Sequence, residues 1–145
     1  MTDFVEQQII EAVRKLLTGR VNGILNETQF VIPVIEFVGN GGEYAVAPLL
    51  NLSTCERTEK ERIIRLDSYS LTITFTLTES PDSELHCYAY SGAVGRAVYE
   101  NPTLGGVVNR AVILAKKYIP PKVLHCGEAW GLVLSLRVTV EGITE

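Results

Sequence analysis

Ten residues from Tyr69 to Thr78 alternate without a break. Tyr69, Leu71, Ile73, Phe75 and Leu77 are apolar, whereas Ser70, Thr72, Thr74, Thr76 and Thr78 carry hydroxyls. A second segment repeats the period: Leu132, Leu134, Leu136, Val138 and Val140 interleave with Val133, Ser135, Arg137, Thr139 and Glu141. Period two places one set of side chains against a core and the other against water, the signature of antiparallel strands. Threonine suits the wet face, because its branched carbon fits the pleat while its hydroxyl meets solvent. A doubly wound parallel sheet would show continuous apolar strands instead, so the pattern argues against a nucleotide-binding Rossmann fold.

Helical spacing occupies the gaps. Val5, Ile9, Val13 and Leu16, with Ala12 and Leu17, form one apolar stripe. Asp3 and Glu6 make a capping box before it, and Gly19 is expected to stop it. Phe30 to Val38 is rich in β-branched residues and predicts a strand, with Pro33 placing it at an edge or a bulge. Gly39-Asn40-Gly41-Gly42 predicts a turn and lacks the Lys-Ser/Thr of a phosphate loop. Ser80-Pro81-Asp82-Ser83-Glu84 is a helix start, and Asn101-Pro102 ends that helix near Glu100. Its expected packing face is Leu85, Ala89, Gly92, Ala93 and Ala97, with Gly92 and Gly95 marking close approach within or between subunits. Val107 to Ile119 predicts a strand ended by Pro120-Pro121, and Trp130 to Glu141 its partner. The order is helix, strands, helix, strands. It predicts one α+β domain over residues 1–145, a mostly antiparallel sheet with two helices packed on it and a long β-hairpin.

That hairpin would be built from Val46–Leu52 and Ile63–Leu77. Between them, Glu56-Arg57-Thr58-Glu59-Lys60-Glu61-Arg62 is too long and too polar for a tight turn or for burial. It reads as a solvated tip, or as a charged arm that grips a neighbour.

Composition narrows the chemistry. The chain has 145 residues, 46% hydrophobic and 21% charged, an ordinary globular balance. The net charge of −4 and the scattered bases disfavour binding through phosphate neutralisation. Cys55, Cys87 and Cys126 are odd in number and far apart, which suits a reducing compartment better than a disulfide framework. The first residues lack a basic, apolar leader, and no apolar run approaches the ~20 residues that span a bilayer. His86-Cys87 and His125-Cys126 supply four soft ligand types, but adjacent residues diverge on a strand or helix, so each dipeptide offers one ligand easily. A cysteine–histidine nucleophile pair is possible by count and has no local signature. The deaminase, nucleophile-elbow, dinucleotide and phosphate-loop motifs are absent.

Three stretches carry a resemblance: Glu61-Arg62-Ile63-Ile64-Arg65-Leu66-Asp67-Ser68-Tyr69 with the threonine strand after it, Asn101-Pro102-Thr103-Leu104-Gly105-Gly106-Val107-Val108-Asn109-Arg110-Ala111-Val112, and Trp130-Gly131-Leu132-Val133-Leu134-Ser135-Leu136-Arg137-Val138-Thr139-Val140. Together they resemble small tail proteins encoded in prophages of Gram-positive bacteria. More loosely, the order of elements resembles the tail completion, or tail terminator, proteins of long-tailed phages. The resemblance covers about two-thirds of the chain. It implies an α+β fold and no catalysis or cofactor. It also implies a homo-oligomeric ring, usually of six subunits, that caps the tail tube and faces the head. The expected partners are further copies of the chain (each able to stay monomeric in solution until it meets a tail), the major tail tube protein and a head-closure or connector protein. The expected location is the host cytoplasm during assembly and then the virion tail. Candidate interface residues are Glu56, Arg57, Glu59, Lys60, Glu61 and Arg62 of the tip, the Arg65–Asp67 pair, and the Asn101, Pro102, Thr103, Leu104, Gly105 and Gly106 turn. The alternatives are a head–tail connector or other minor tail component and, from another class, a small metal- or thiol-dependent enzyme using His86, Cys87, His125 and Cys126.

Overall fold

The computed structural model describes residues 4–37, 45–59, 64–78, 81–121 and 129–143. In chain order these form α1 (Val5–Leu16), a π-helical turn (Leu17–Val21), α2 (Asn22–Asn26), β1 (Val34–Ile35), β2 (Ala45–Val46), β3 (Leu49–Glu59), β4 (Ile64–Thr78), α3 (Ser83–Glu100), β5 (Arg110–Ile119) and β6 (Ala129–Ile143). β1 and β2 make a small parallel pair, and the other four form one antiparallel sheet in the order β3-β4-β6-β5. The expected α+β architecture is the one observed: two helical segments, the first running from Val5 to Asn26, lie against this sheet.

The two alternating segments became the two central strands. They pair so that Tyr69, Leu71, Ile73 and Phe75 stand beside Val138, Leu136, Leu134 and Leu132 on one face. All eight are buried, seven of them at 0–1% exposure. Each such side chain contributes roughly 1.5–3 kcal/mol when fully removed from water. The helices cover this face: Tyr90 of α3 stacks on Phe75 with ring centroids 4.7 Å apart, and Glu6 of α1 accepts a hydrogen bond from the Tyr69 hydroxyl at 2.7 Å.

Several sequence expectations are corrected. The first helix opens after Phe4 without a side-chain cap, and Glu6 serves the sheet rather than a capping box. Asp3 lies outside the described residues. Gly19 does not stop the helix, because the π turn carries the backbone through it and on to Asn26. The Phe30–Val38 strand shrinks to Val34–Ile35, with Val38 outside the described residues. Its register is held by Asn22, whose carboxamide donates to the Ile35 carbonyl at 2.9 Å and accepts from the Ile35 N–H at 2.8 Å. The face of α3 that packs is Cys87, Tyr90, Val94, Ala97 and Val98 with Ala93; Leu85 and Ala89 sit at its margin, and Gly92 is exposed. A side chain added at Gly92 would meet nothing within 4 Å, so that glycine marks no close approach. Asp82 stands at the helix start without a side-chain cap bond, and Ser80 lies outside the described residues. So does the Gly39–Gly42 turn.

Candidate assembly surface

The charged segment is largely strand. Glu56, Arg57, Thr58 and Glu59 pair with Ser68, Asp67, Leu66 and Arg65, so β3 reaches well past the apolar stretch in which it starts. Lys60, Glu61 and Arg62 lie outside the described residues. β6 accompanies β4 to the same end, with Gly142 opposite Arg65. The sheet therefore continues as three strands beyond Tyr69, where Glu6 in the first turn of α1 meets it.

On the helix-facing side of that extension lies a carboxylate between two guanidinium groups. Asp67 is 6% exposed. Arg57 donates to its two oxygens at 2.7 and 3.2 Å, and Arg65 approaches at 3.4 Å. The forked bond from Arg57 and the positive charges of both arginines hold the Asp67 carboxyl below the usual carboxylate range against the opposing effect of burial. Arg57 is thus engaged inside the subunit, which corrects the picture of a mobile arm with free cations. Glu56 points to the opposite face, level with Ser68, and is exposed.

The Asn101–Gly106 turn is tightly built. The Leu104 N–H donates to the Asn101 carbonyl at 3.0 Å, and Gly106 and Val108 both donate to the Thr103 carbonyl. Leu104, Gly105 and Gly106 take φ of 50°, 75° and 91°, a left-handed path that glycine adopts freely and leucine does not. Leu104 is held there because its side chain is buried at 5% exposure, as is that of Val108. Asn109 then ties the turn to the sheet: its N–H donates to the Thr139 carbonyl, and its side-chain oxygen accepts from Glu141 N–H at 2.7 Å. Thr139 pairs with Ser68, which pairs with Glu56. The structure therefore brings the turn and the charged strand ends, far apart in sequence, to the same end of the sheet. A hollow of about 520 Å3 separates the turn from α1, between Leu104 and Gly105 on one side and Gln8, Ala12 and Lys15 on the other.

Two features had no sequence signal. Arg20 and Arg96 interleave with Glu27 and Glu100, at 2.8 Å for Arg20–Glu100 and 3.5 Å for Arg96–Glu27, and clamp the first helix to α3. Only the Arg96–Glu100 spacing of four, with its 3.3 Å contact, is visible in the sequence. The second is a groove of about 770 Å3 between α3 and β5, lined in part by Val98, Tyr99, Val112 and Ile113.

Among the described residues the enzyme alternative gains no geometry. Cys87 is buried in the core, and burial pushes its thiol up to about 11, away from the thiolate that nucleophilic chemistry needs. His86 is beside it on α3; His125 and Cys126 lie outside the described residues. Among the described residues no three His, Cys, Asp or Glu side chains come together as metal ligands. No described helix is long and apolar enough to cross a membrane. No known protein family's profile matches the chain, and no curated protein matches it.

Proposed function

We propose that this protein is a structural subunit of a long-tailed phage tail, a terminator-like protein that forms a homo-oligomeric ring, closes the tail tube and meets the head-closure or connector protein. One observation carries the reading. In their described residues, the three sequence stretches that resemble tail proteins fall on β4, on the turn leading into β5 with the start of that strand, and on β6, which belong to one sheet. The resemblance thus follows a contiguous piece of structure, and the candidate contact residues that are described gather at one end of it. Charged groups at such a rim choose partners and register more than they supply affinity, since exposed pairs contribute only about 0–1 kcal/mol each. On this reading the protein is not an enzyme and works in the host cytoplasm and then in the virion.

Deleting the gene from its parent phage tests this. Overlong or headless tails in electron micrographs of the lysate support the reading. Tails of normal length joined to heads refute it. Normal tails beside closed, unjoined heads would move the protein to the head side of the neck.

A further inference from the structure

We propose that copies of this chain join head to tail through their sheets, β5 of one copy lying antiparallel beside β3 of the next. The inference rests on the ring reading above for where assembly happens, but its interface stands on separate observations.

Among the described residues neither β3 nor β5 carries another strand on its outer side. A bare edge is a row of unpaired N–H and C=O groups that templates pairing. The carbonyl of Pro102 accepts the Ala111 N–H at 2.7 Å and closes the first residues of the β5 edge. The open stretch then runs from Val112 to Ile119, where Leu114, Tyr118 and Ile119 are 54, 41 and 42% exposed. On the other edge Leu49 is 68% exposed. The groove beneath α3 runs along the start of the open stretch, so an incoming strand places alternate side chains over it.

Charge selects the partner edge. β5 carries Arg110, Lys116 and Lys117 and no acid. β3 carries Glu56 and Glu59, and its one base, Arg57, is bound to Asp67 of its own subunit. Two β5 edges together would set lysine against lysine, and two β3 edges glutamate against glutamate; like charges across a strand pair are destabilising. Only β5 with β3 brings opposite signs together. Both edges also carry a bulge, at Leu52/Thr54 and at Ile113/Ala115, which further limits indiscriminate pairing.

Direction agrees. With four strands all antiparallel, β3 and β5 run in opposite senses. Rotating a copy about an axis along the strands brings its β3 beside β5 of the first as another antiparallel neighbour. Such a contact leaves a β3 and a β5 free at the two ends and so repeats until it closes.

The test uses disulfides between copies in a full-length Cys55→Ser/Cys126→Ser background. Lys117→Cys, on the helix-free face of β5, is combined in turn with Leu49→Cys, Asn51→Cys, Thr54→Cys or Glu56→Cys, the exposed residues of the same face of β3. The four positions span the registers open to the junction, and adjacent antiparallel strands bring Cα atoms within disulfide reach. Each variant is oxidised as concentrated purified protein and in lysates of phage expressing it. At least one pair is expected to give a ladder of three or more copies, forming at least tenfold faster than dimers of either single-cysteine variant. Adding Lys116→Glu is expected to slow the ladder several-fold, and adding Glu59→Lys, on the same helix-facing side of β3, to that variant to recover it. Dimers of Lys117→Cys alone as fast as the ladder would show β5 against β5 and overturn the proposal. No ladder from any pair in either setting would overturn it too, as would cross-linking of Lys117→Cys only to another protein. Ladders together with a normal-tailed deletion phage would leave the interface standing and remove the tail function. The terminator phenotype without ladders would do the reverse.

Discussion

Replacing Tyr90 by phenylalanine isolates one hydrogen bond at the centre of the fold. The Tyr90 side chain is fully buried, stacks on Phe75 at 4.7 Å with the rings 13° apart, and donates its hydroxyl proton to the Pro33 carbonyl at 2.6 Å. That bond ties α3 to the segment entering β1. Losing it removes a contribution of about 0.5–1.5 kcal/mol, and because Pro33 is half-buried, water reaches part of the abandoned carbonyl and keeps the loss near the top of that range rather than above it. Unfolding a chain of 145 residues changes entropy by roughly 0.3 kcal/mol per kelvin, so the expected fall in Tm is about 4 °C. Tyr90→Ala also removes the ring and the stacking and leaves a cavity, for a loss of about 3–5 kcal/mol and about 10–17 °C. Urea titration followed by circular dichroism, with a thermal melt of each variant, measures both. A phenylalanine variant as stable as the parent would refute the assignment of the bond. An alanine variant no worse than phenylalanine would refute the placement of the ring in the core.

Four further outcomes follow from the same geometry. Arg57→Glu sets a carboxylate against buried Asp67, so it should lower the melting temperature at pH 7 while Glu56→Lys leaves it nearly unchanged; equal melts for the two would refute the internal pairing. Because Asp67 titrates below its ordinary value when folded, its contribution is complete above the ordinary carboxylate range and is lost as pH falls through the lowered value, so the Arg57→Glu deficit should shrink in melts at pH 3. Burial pushes the Cys87 thiol up from 9.0 to about 11 and raises the Tyr69 and Tyr90 phenols, favouring the neutral forms in the fold; stability is therefore full below about pH 9 and falls above it, and Cys87→Ser should flatten the urea midpoint between pH 9 and 11. Gly92→Ala should stabilise by about 0.5–1 kcal/mol in urea titration, since the site is helical, exposed and open beyond its Cβ.

The sheet was legible because alternation is a local signal. Tyr69 to Thr78 and Leu132 to Val140 show their inner and outer faces without reference to anything else in the chain, and the threonines of the outer face reinforce the reading. The first helix was legible as far as Leu17 and lost at Gly19, because a π turn has no residue preference strong enough to set against glycine. The packing face of α3 was misplaced for a different reason: small residues suggested close approach, but the sheet beneath is wide, and the helix meets it with Tyr90, Val94 and Val98. The short β1 depends on the carboxamide of Asn22, thirteen residues away, which no window on Phe30–Val38 contains. The polar run that ends β3 and the Asn101–Gly106 turn were both visible in the sequence as local features. The sequence could not show that Arg57 faces Asp67, because that pairing depends on a strand register with a bulge at Leu52/Thr54 in it. The groove beside β5 depends on how α3 and β5 pack across the turn between them, and the Arg20–Glu100 clamp joins residues 80 apart; neither left a local trace.

The π turn of the first helix amounts to one residue more than the helix needs. Before it the buried positions are Ile9, Val13, Leu16 and Leu17; after it they are Val21, Ile24 and Leu25, one place later than an uninterrupted α-helix would set them. The wider turn absorbs that extra place, and both halves keep facing the sheet. Excising exposed Gly19 would let the backbone close into an ordinary α-helix with the same seven side chains inward and with Asn22 still opposite Ile35. The first helix can thus lose a residue from its middle, where a deletion ordinarily turns half of a buried stripe toward water.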